Sequence, residues 1–248
     1  MAGNHDHIKQ DSFYKGFPWE PNVTFFEQEM RSCVEIPELN TFVYGMSYQH
    51  QEIREPLYDA WKPEDKPGFH VLLAHGGDGN HIPMDMKRIA ASGFSYLALG
   101  HIHKPQAVIR GKALYPGALE PIDRNDTGEH GYILGSYDEG RIRLKFMPFA
   151  SRSYQNLLLT MQETTTQFSL EEMVKNEIFK RGGKNIYRII LRGWRSPELI
   201  LLTERLKKLG NIVEILDESK PAYDLEELYR KYTGTLIGDY VGSFMGRD

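Results

Sequence analysis

Cysteine is almost missing from this 248-residue chain: Cys33 is the only one, so no intrachain disulfide can form, which fits a reducing compartment. Long apolar runs are missing too. No stretch approaches the ~20 consecutive apolar residues that span a bilayer. Met1-Ala2-Gly3-Asn4-His5-Asp6 reads without a signal-peptide core, and the expectation is a cytoplasmic protein with no membrane partner. Nor is there a strong excess of charge. The formal net charge is −4, with 15 Lys+Arg against 20 Asp+Glu in residues 1–150 and 15 against 14 in residues 151–248. A basic field of the kind that draws nucleic-acid phosphates is therefore lacking, although bound metal ions would raise the local charge at a site. What is present is ordinary globular composition, 40% hydrophobic and 26% charged, which argues against disorder and allows one large or two modest domains.

Histidine placement carries the chemistry. Phe94-Ser95-Tyr96-Leu97-Ala98-Leu99 is an apolar strand-like run followed by Gly100-His101-Ile102-His103, and His75 ends a second such run, residues 69–74, just before Gly76-Gly77. The chain opens with Gly3-Asn4-His5-Asp6. Ligands gather at the carboxyl ends of strands in open α/β sheets, so residues far apart in sequence can converge there. Neutral imidazole ligates divalent transition metals, and an amide oxygen suits harder ions, so this set leans toward Mn, Fe or Zn rather than calcium. His101 and His103 are two apart and would share one side of an extended segment.

Taken in order, Gly-Asn-His-Asp, a strand-ending His and Gly-His-x-His resemble the later motifs of the calcineurin-like metallophosphoesterases. Residues 97–106 with Tyr115-Pro116-Gly117-Ala118-Leu119 narrow the resemblance to the DNA-repair exonucleases of the SbcD type. It implies an α/β (α+β) fold: the C-terminal part of a layered β-sandwich domain flanked by helices, followed by a small capping domain. It implies two Mn²⁺ ions, with Asn4, His75 and His101 on one and His103 on the other, and His5 as the non-ligating catalytic histidine that protonates the leaving oxygen. Asp6 would brace the loop. The chemistry implied is two-metal hydrolysis of phosphodiesters at DNA ends. Implied partners are DNA, an SbcC-like coiled-coil ATPase subunit and a second copy of the chain. The family's two earlier motifs, Asp-x-His and Gly-Asp, have no counterpart ahead of Gly3, so the chain reads as a fragment with impaired catalysis. Gly77-Asp78-Gly79-Asn80-His81 echoes them superficially and reads as a flexible loop near the site, Asp78 being a possible replacement ligand.

Three segments follow: residues 1–150 as the partial nuclease domain, 151–221 as the cap, and 222–248 as a helical end. Strands are expected at 41–46, 69–74, 94–99, 106–109, 131–137 and 141–146, with a hairpin turn at Asp138-Glu139-Gly140 and a helix over 83–92. The cap reads β-α-β-α-β: strands at 154–161, 185–193 and 212–216, and helices from Ser169 to Arg181 and from Pro197 to Leu206. Leu225, Leu228, Tyr229 and Tyr232 have helical spacing. His70, His81 and His130 read as core or surface residues, His7 and His50 as unassigned, and the tyrosines with Trp61 and Trp194 as packing. Two other functions fit the same residues: a phosphatase or phosphodiesterase on small nucleotides, and a non-catalytic DNA- or ATPase-binding fragment.

Overall fold

The computed structural model describes residues 1–138 and 140–245, which fall into two units, Met1–Ser151 and Arg152–Asp248. The first unit contains α1 (Phe13–Gly16), β1 (Ser32–Ile36), β2 (Thr41–Gly45), β3 (Phe69–His75), α2 (Met86–Ala91), β4 (Tyr96–Gly100), β5 (Gln106–Ile109), β6 (Ala113–Tyr115), β7 (Gly131–Asp138) and β8 (Arg141–Pro148). Six of these strands form one sheet in the order β1-β2-β3-β4-β6-β5. The pairs β2/β3, β3/β4 and β4/β6 are parallel, and the edge pairs β1/β2 and β5/β6 are antiparallel. Alternation sets its buried face: His70, Leu72 and Ala74 of β3 point inward with Tyr44 of β2 and Leu97 and Leu99 of β4. Ile82, Ile89 and Phe94 close that core. His70 belongs to it, stacked on Phe42 at 4.9 Å with its ring nitrogens 3.1 Å from the Tyr44 hydroxyl and 2.8 Å from the Lys66 carbonyl. The strands β7 and β8 form an antiparallel ladder; Glu139, in the expected turn, lies outside the described residues.

Parallel pairing puts the carboxyl ends of β2, β3 and β4 on one edge, with His75 in register with Gly100. The N-terminal segment is strapped to that edge. Ala2 N–H donates to the Ser47 hydroxyl at 2.7 Å, Tyr48 N–H to the Ala2 carbonyl at 3.2 Å, and Ile8 N–H to the Tyr48 carbonyl at 2.7 Å.

The second unit contains β9 (Tyr154–Met161), α3 (Gln167–Arg181), β10 (Ile186–Arg195), α4 (Thr203–Lys207), β11 (Ile212–Asp217), β12 (Lys220–Pro221), α5 (Leu225–Lys231) and α6 (Leu236–Gly242). Its central strand β10 is parallel to β9, β11 and β12. Leu157, Leu159 and Met161 of β9 and Tyr187, Ile189 and Leu191 of β10 pack against Leu170, Val174 and Ile178 of α3, each buried side chain contributing about 1.5–3 kcal/mol. The mixed α/β arrangement, several sheets with few helices, is the fold class the sequence points to.

Helix ends differ from the sequence reading for local reasons. The helix expected over 83–92 starts only at Met86, because the Asp85 carboxylate accepts from the Lys87 and Arg88 N–H groups. The helix expected from Ser169 starts at Gln167, with Thr166 as cap and Ser169 completing a capping box. The helix expected from Pro197 shrinks to Thr203–Lys207. There the Gln167 side chain accepts from Leu202 N–H and donates to the Leu202 carbonyl, taking backbone groups that a longer helix would pair. The C-terminal helix is two short ones, interrupted at Gly234, whose φ is +77°; residues 246–248 lie outside the described residues. No helix among the described residues is long and apolar enough to cross a membrane.

Candidate metal centre

At the shared strand edge Asn4 is buried, and its side-chain oxygen accepts from His75 Nε2 at 2.8 Å and lies 3.3 Å from His101 Nδ1. Gly3 is required beside it, since a Cβ there would meet the His75 ring at 2.5 Å. His101 Nε2 in turn sits 2.7 Å from the Asp78 carboxylate, which also accepts from His81 Nδ1 at 2.8 Å. Asp78, His81 and His101 each offer a ligand atom, and these atoms all lie within 4.8 Å of one another. The structure thus brings together Asn4, His75 and His101 of the sequence-assigned set and adds Asp78 and His81.

His101 does not continue the strand. Its φ is +98°, a conformation that costs a non-glycine residue about 1–3 kcal/mol and is found where surrounding contacts impose it. The turn aims its ring back at Asp78 and Asn4. His101 and His103 consequently face different carboxylates rather than sharing a side: His103 Nδ1 lies 3.4 Å from Asp126. His5 is exposed on the following turn of the N-terminal segment. Asp6 braces that segment as expected, accepting from Gly3 N–H at 2.7 Å and from the Tyr14 hydroxyl at 2.7 Å.

The loop carrying Asp78 and His81 is pinned rather than free. Asp78 Oδ1 accepts from the Asn80 and His81 N–H groups, both at 2.9 Å. Ile53 N–H donates to the Asn80 carbonyl at 2.9 Å and Ile82 N–H to the Ile53 carbonyl at 2.7 Å. Gly76 and Gly77, with φ of +145° and +116°, make the reversal that returns this loop to the strand end. A side chain at Gly77 would run into the Tyr115 hydroxyl. Three tyrosines fix the backbone here. The Tyr48 hydroxyl donates to the His75 carbonyl at 2.8 Å, His75 N–H donates to the Tyr58 hydroxyl at 3.3 Å, and the Tyr115 hydroxyl donates to the Gly76 carbonyl at 2.9 Å. Their packing role was legible in the sequence, whereas their grip on the backbone was not.

Electrostatics suit a cation. Burial, reinforced by the neighbouring His101, pushes the His75 imidazole down to about 4, so its ring is neutral at physiological pH, and with Nε2–H donating to Asn4 its lone pair is on Nδ1. Burial alone would raise Asp78, but hydrogen bonds from His101, His81 and two backbone N–H groups outweigh it and hold the carboxyl well below the usual carboxylate range. The His81 and His101 imidazoles with the Asp78 carboxylate form a donor set that fits a divalent ion of the Mn, Fe or Zn type. Burial and hydrogen bonding remove two other histidines from consideration. His130 is filled by the Ala118 and Asp126 carbonyls at 3.0 and 3.1 Å, and His70 lies in the core.

No family model matches the chain. The chain is 26% identical over 234 residues to a Bacillus subtilis (strain 168) protein named uncharacterized metallophosphoesterase YhaO, covering 89% of this chain and 56% of that one. It is 31% identical over 97 residues to the DNA double-strand break repair protein Mre11 of Methanocaldococcus jannaschii, covering 36% of this chain and 26% of that protein. The chain therefore spans roughly half or less of the length of the curated relatives it matches. A likeness running through nearly the whole chain supports kinship with metallophosphoesterases.

Proposed function

We propose that this chain is the metal-dependent phosphodiester hydrolase part of a DNA-end-processing protein. The convergence of Asp78, His81 and His101 beside the Asn4–His75 pair carries the hydrolase reading. Asp78, His81 and His101 would hold one ion, with Asn4 and His75 on the other nitrogen of the His101 ring, and His103 with Asp126 would contribute to a second. Divalent ions, Mn²⁺ by the family resemblance, would polarise the phosphate and offset charge developing in the transition state. The chain's own groups do the rest. Asn4 orients His75 and His101 through one oxygen, the three tyrosine hydroxyls fix the His75–Gly76 backbone, and exposed His5 would give its proton to the departing oxygen from a segment that Asp6 steadies.

The DNA substrate is supported by the Mre11 likeness and by the resemblance of residues 97–106 and 115–119 to SbcD-type exonucleases. Pairing with an SbcC-like ATPase, self-association through the nuclease unit and a cytoplasmic location belong to the same reading. The test is Mn²⁺-dependent cleavage of bis-p-nitrophenyl phosphate and of end-labelled duplex DNA, compared with His101→Ala. Metal-dependent cleavage of both, lost in the variant, is the expected result. Cleavage of the small diester with DNA untouched would replace the substrate, and unchanged cleavage by His101→Ala would remove the site.

A further inference from the structure

Residues 13–25 hold five aromatic rings, Phe13, Tyr14, Phe17, Trp19 and Phe25, none of which belongs to the buried core of the first unit. Three of them are nearly parallel. Trp19 and Phe25 are 5.4 Å apart at 8°, Tyr14 and Phe25 5.0 Å at 22°, and Tyr14 and Trp19 6.2 Å at 14°. The indole is pre-oriented, with its N–H donating to the Tyr14 carbonyl at 3.2 Å and the Phe17 ring set edge-on at 4.6 Å. Yet Phe13 is 71% exposed, Phe17 39% and Trp19 37%. Of the three parallel rings the indole is thus the exposed one, Tyr14 and Phe25 being partly buried, and exposed apolar patches of this kind mark interaction sites.

This cluster is tied to the metal centre by one carboxylate. Asp6 accepts from the Tyr14 hydroxyl with one oxygen and from Gly3 N–H with the other, and Gly3 lies flat against the His75 ring. We infer that the Tyr14–Trp19–Phe25 cluster is a stacking subsite for an unpaired nucleobase next to the phosphate held at the metal centre. The inference rests on the phosphodiesterase reading above and deepens it. Every nucleobase offers a flat π-face, so such a platform selects nucleotides over other phosphodiesters without reading their identity. Charge plays the smaller part here, because Lys15 on this segment is balanced by Glu20. Binding should therefore depend weakly on salt, unlike binding through phosphate contacts.

The experiment is a calorimetric titration of the whole protein in EDTA, so that no hydrolysis intervenes. The ligands are a decathymidylate, an abasic strand with the same number of phosphates, and thymidine monophosphate. One stacked base should favour the thymidylate strand over the abasic one by about 5- to 150-fold. Trp19→Ala should erase that preference, Trp19→Phe should keep most of it, and Phe13→Ala serves as a second truncation whose fold is checked by circular dichroism. Given a base preference, competition by thymidine monophosphate at similar concentration assigns the base to a free nucleotide. Its failure to compete assigns the base to a strand end. Equal affinity for the thymidylate and abasic strands, or an unaltered preference in Trp19→Ala, overturns the subsite. So does a dimer that Trp19→Ala dissociates with no change in strand binding, since the rings would then serve self-association. A base preference in EDTA alongside absent Mn²⁺-dependent diester cleavage would refute the hydrolase reading alone; cleavage without a base preference would refute this one alone.

Discussion

Acidification of the metal-free protein should destabilise the first unit through His75. The imidazole has an ordinary value of 6.5 in the unfolded chain and is pushed to about 4 in the native one, chiefly by burial and then by the neighbouring His101. The unfolded state therefore binds the proton first. The native advantage of a neutral His75 is full above the unfolded value and is lost as pH falls from about 6.5 through about 4. The shift corresponds to about 3 kcal/mol when complete, and to about 2 kcal/mol near pH 5. The assay is urea unfolding in EDTA, followed by emission that includes Trp61 of the first unit, at several pH values across this window. His75→Gln keeps a polar side chain that can still donate to Asn4 and cannot titrate, so the difference between the two proteins isolates His75 from the carboxylates. That difference should shrink as pH falls. A difference that stays flat across the window would refute a buried, neutral His75.

Two further outcomes concern packing. Gly77→Ala must place a methyl group at φ +116° against the Tyr115 hydroxyl; unfolding measurements should show a loss exceeding about 1 kcal/mol, and combining it with Tyr115→Phe should recover part of that loss. In the second unit, Leu191→Ala on the central strand should cost about 2–5 kcal/mol, read as a lowered urea midpoint. A value near zero would mean that β10 is not the core strand.

Much of the frame could be read in the sequence because its strands obey simple periods. Tyr154–Met161 and Gln106–Ile109 are bounded as expected, and the two strands that present His75 and His101 end within a residue of the expected positions. The three-residue strand Ala113–Tyr115 was missed because so short a run has no period, and Ser32–Ile36 because an edge strand with alternate residues in water reads as polar. At the site, His75, His101 and Asn4 were legible as strand-end and motif residues. Asp78 and His81 were legible only as an echo of other motifs. What seats them is a backbone contact with Ile53, far upstream, which no local pattern announces. The extended geometry assumed for His101 and His103 failed for a similar reason: the positive φ of His101 is imposed by partners distant in sequence.

Calorimetric titration of the metal-free protein with Mn²⁺, alongside Asp78→Asn and His101→Ala, bears most directly on the proposed centre. Saturable binding to the native protein is expected, weakened at least about tenfold in both variants, since loss of even a partner that only supports a ligand has effects on that scale, with circular dichroism unchanged. No saturable heat, or an isotherm that Asp78→Asn leaves unaltered, would mean that Asp78, His81 and His101 form a hydrogen-bonded cluster and not a metal centre.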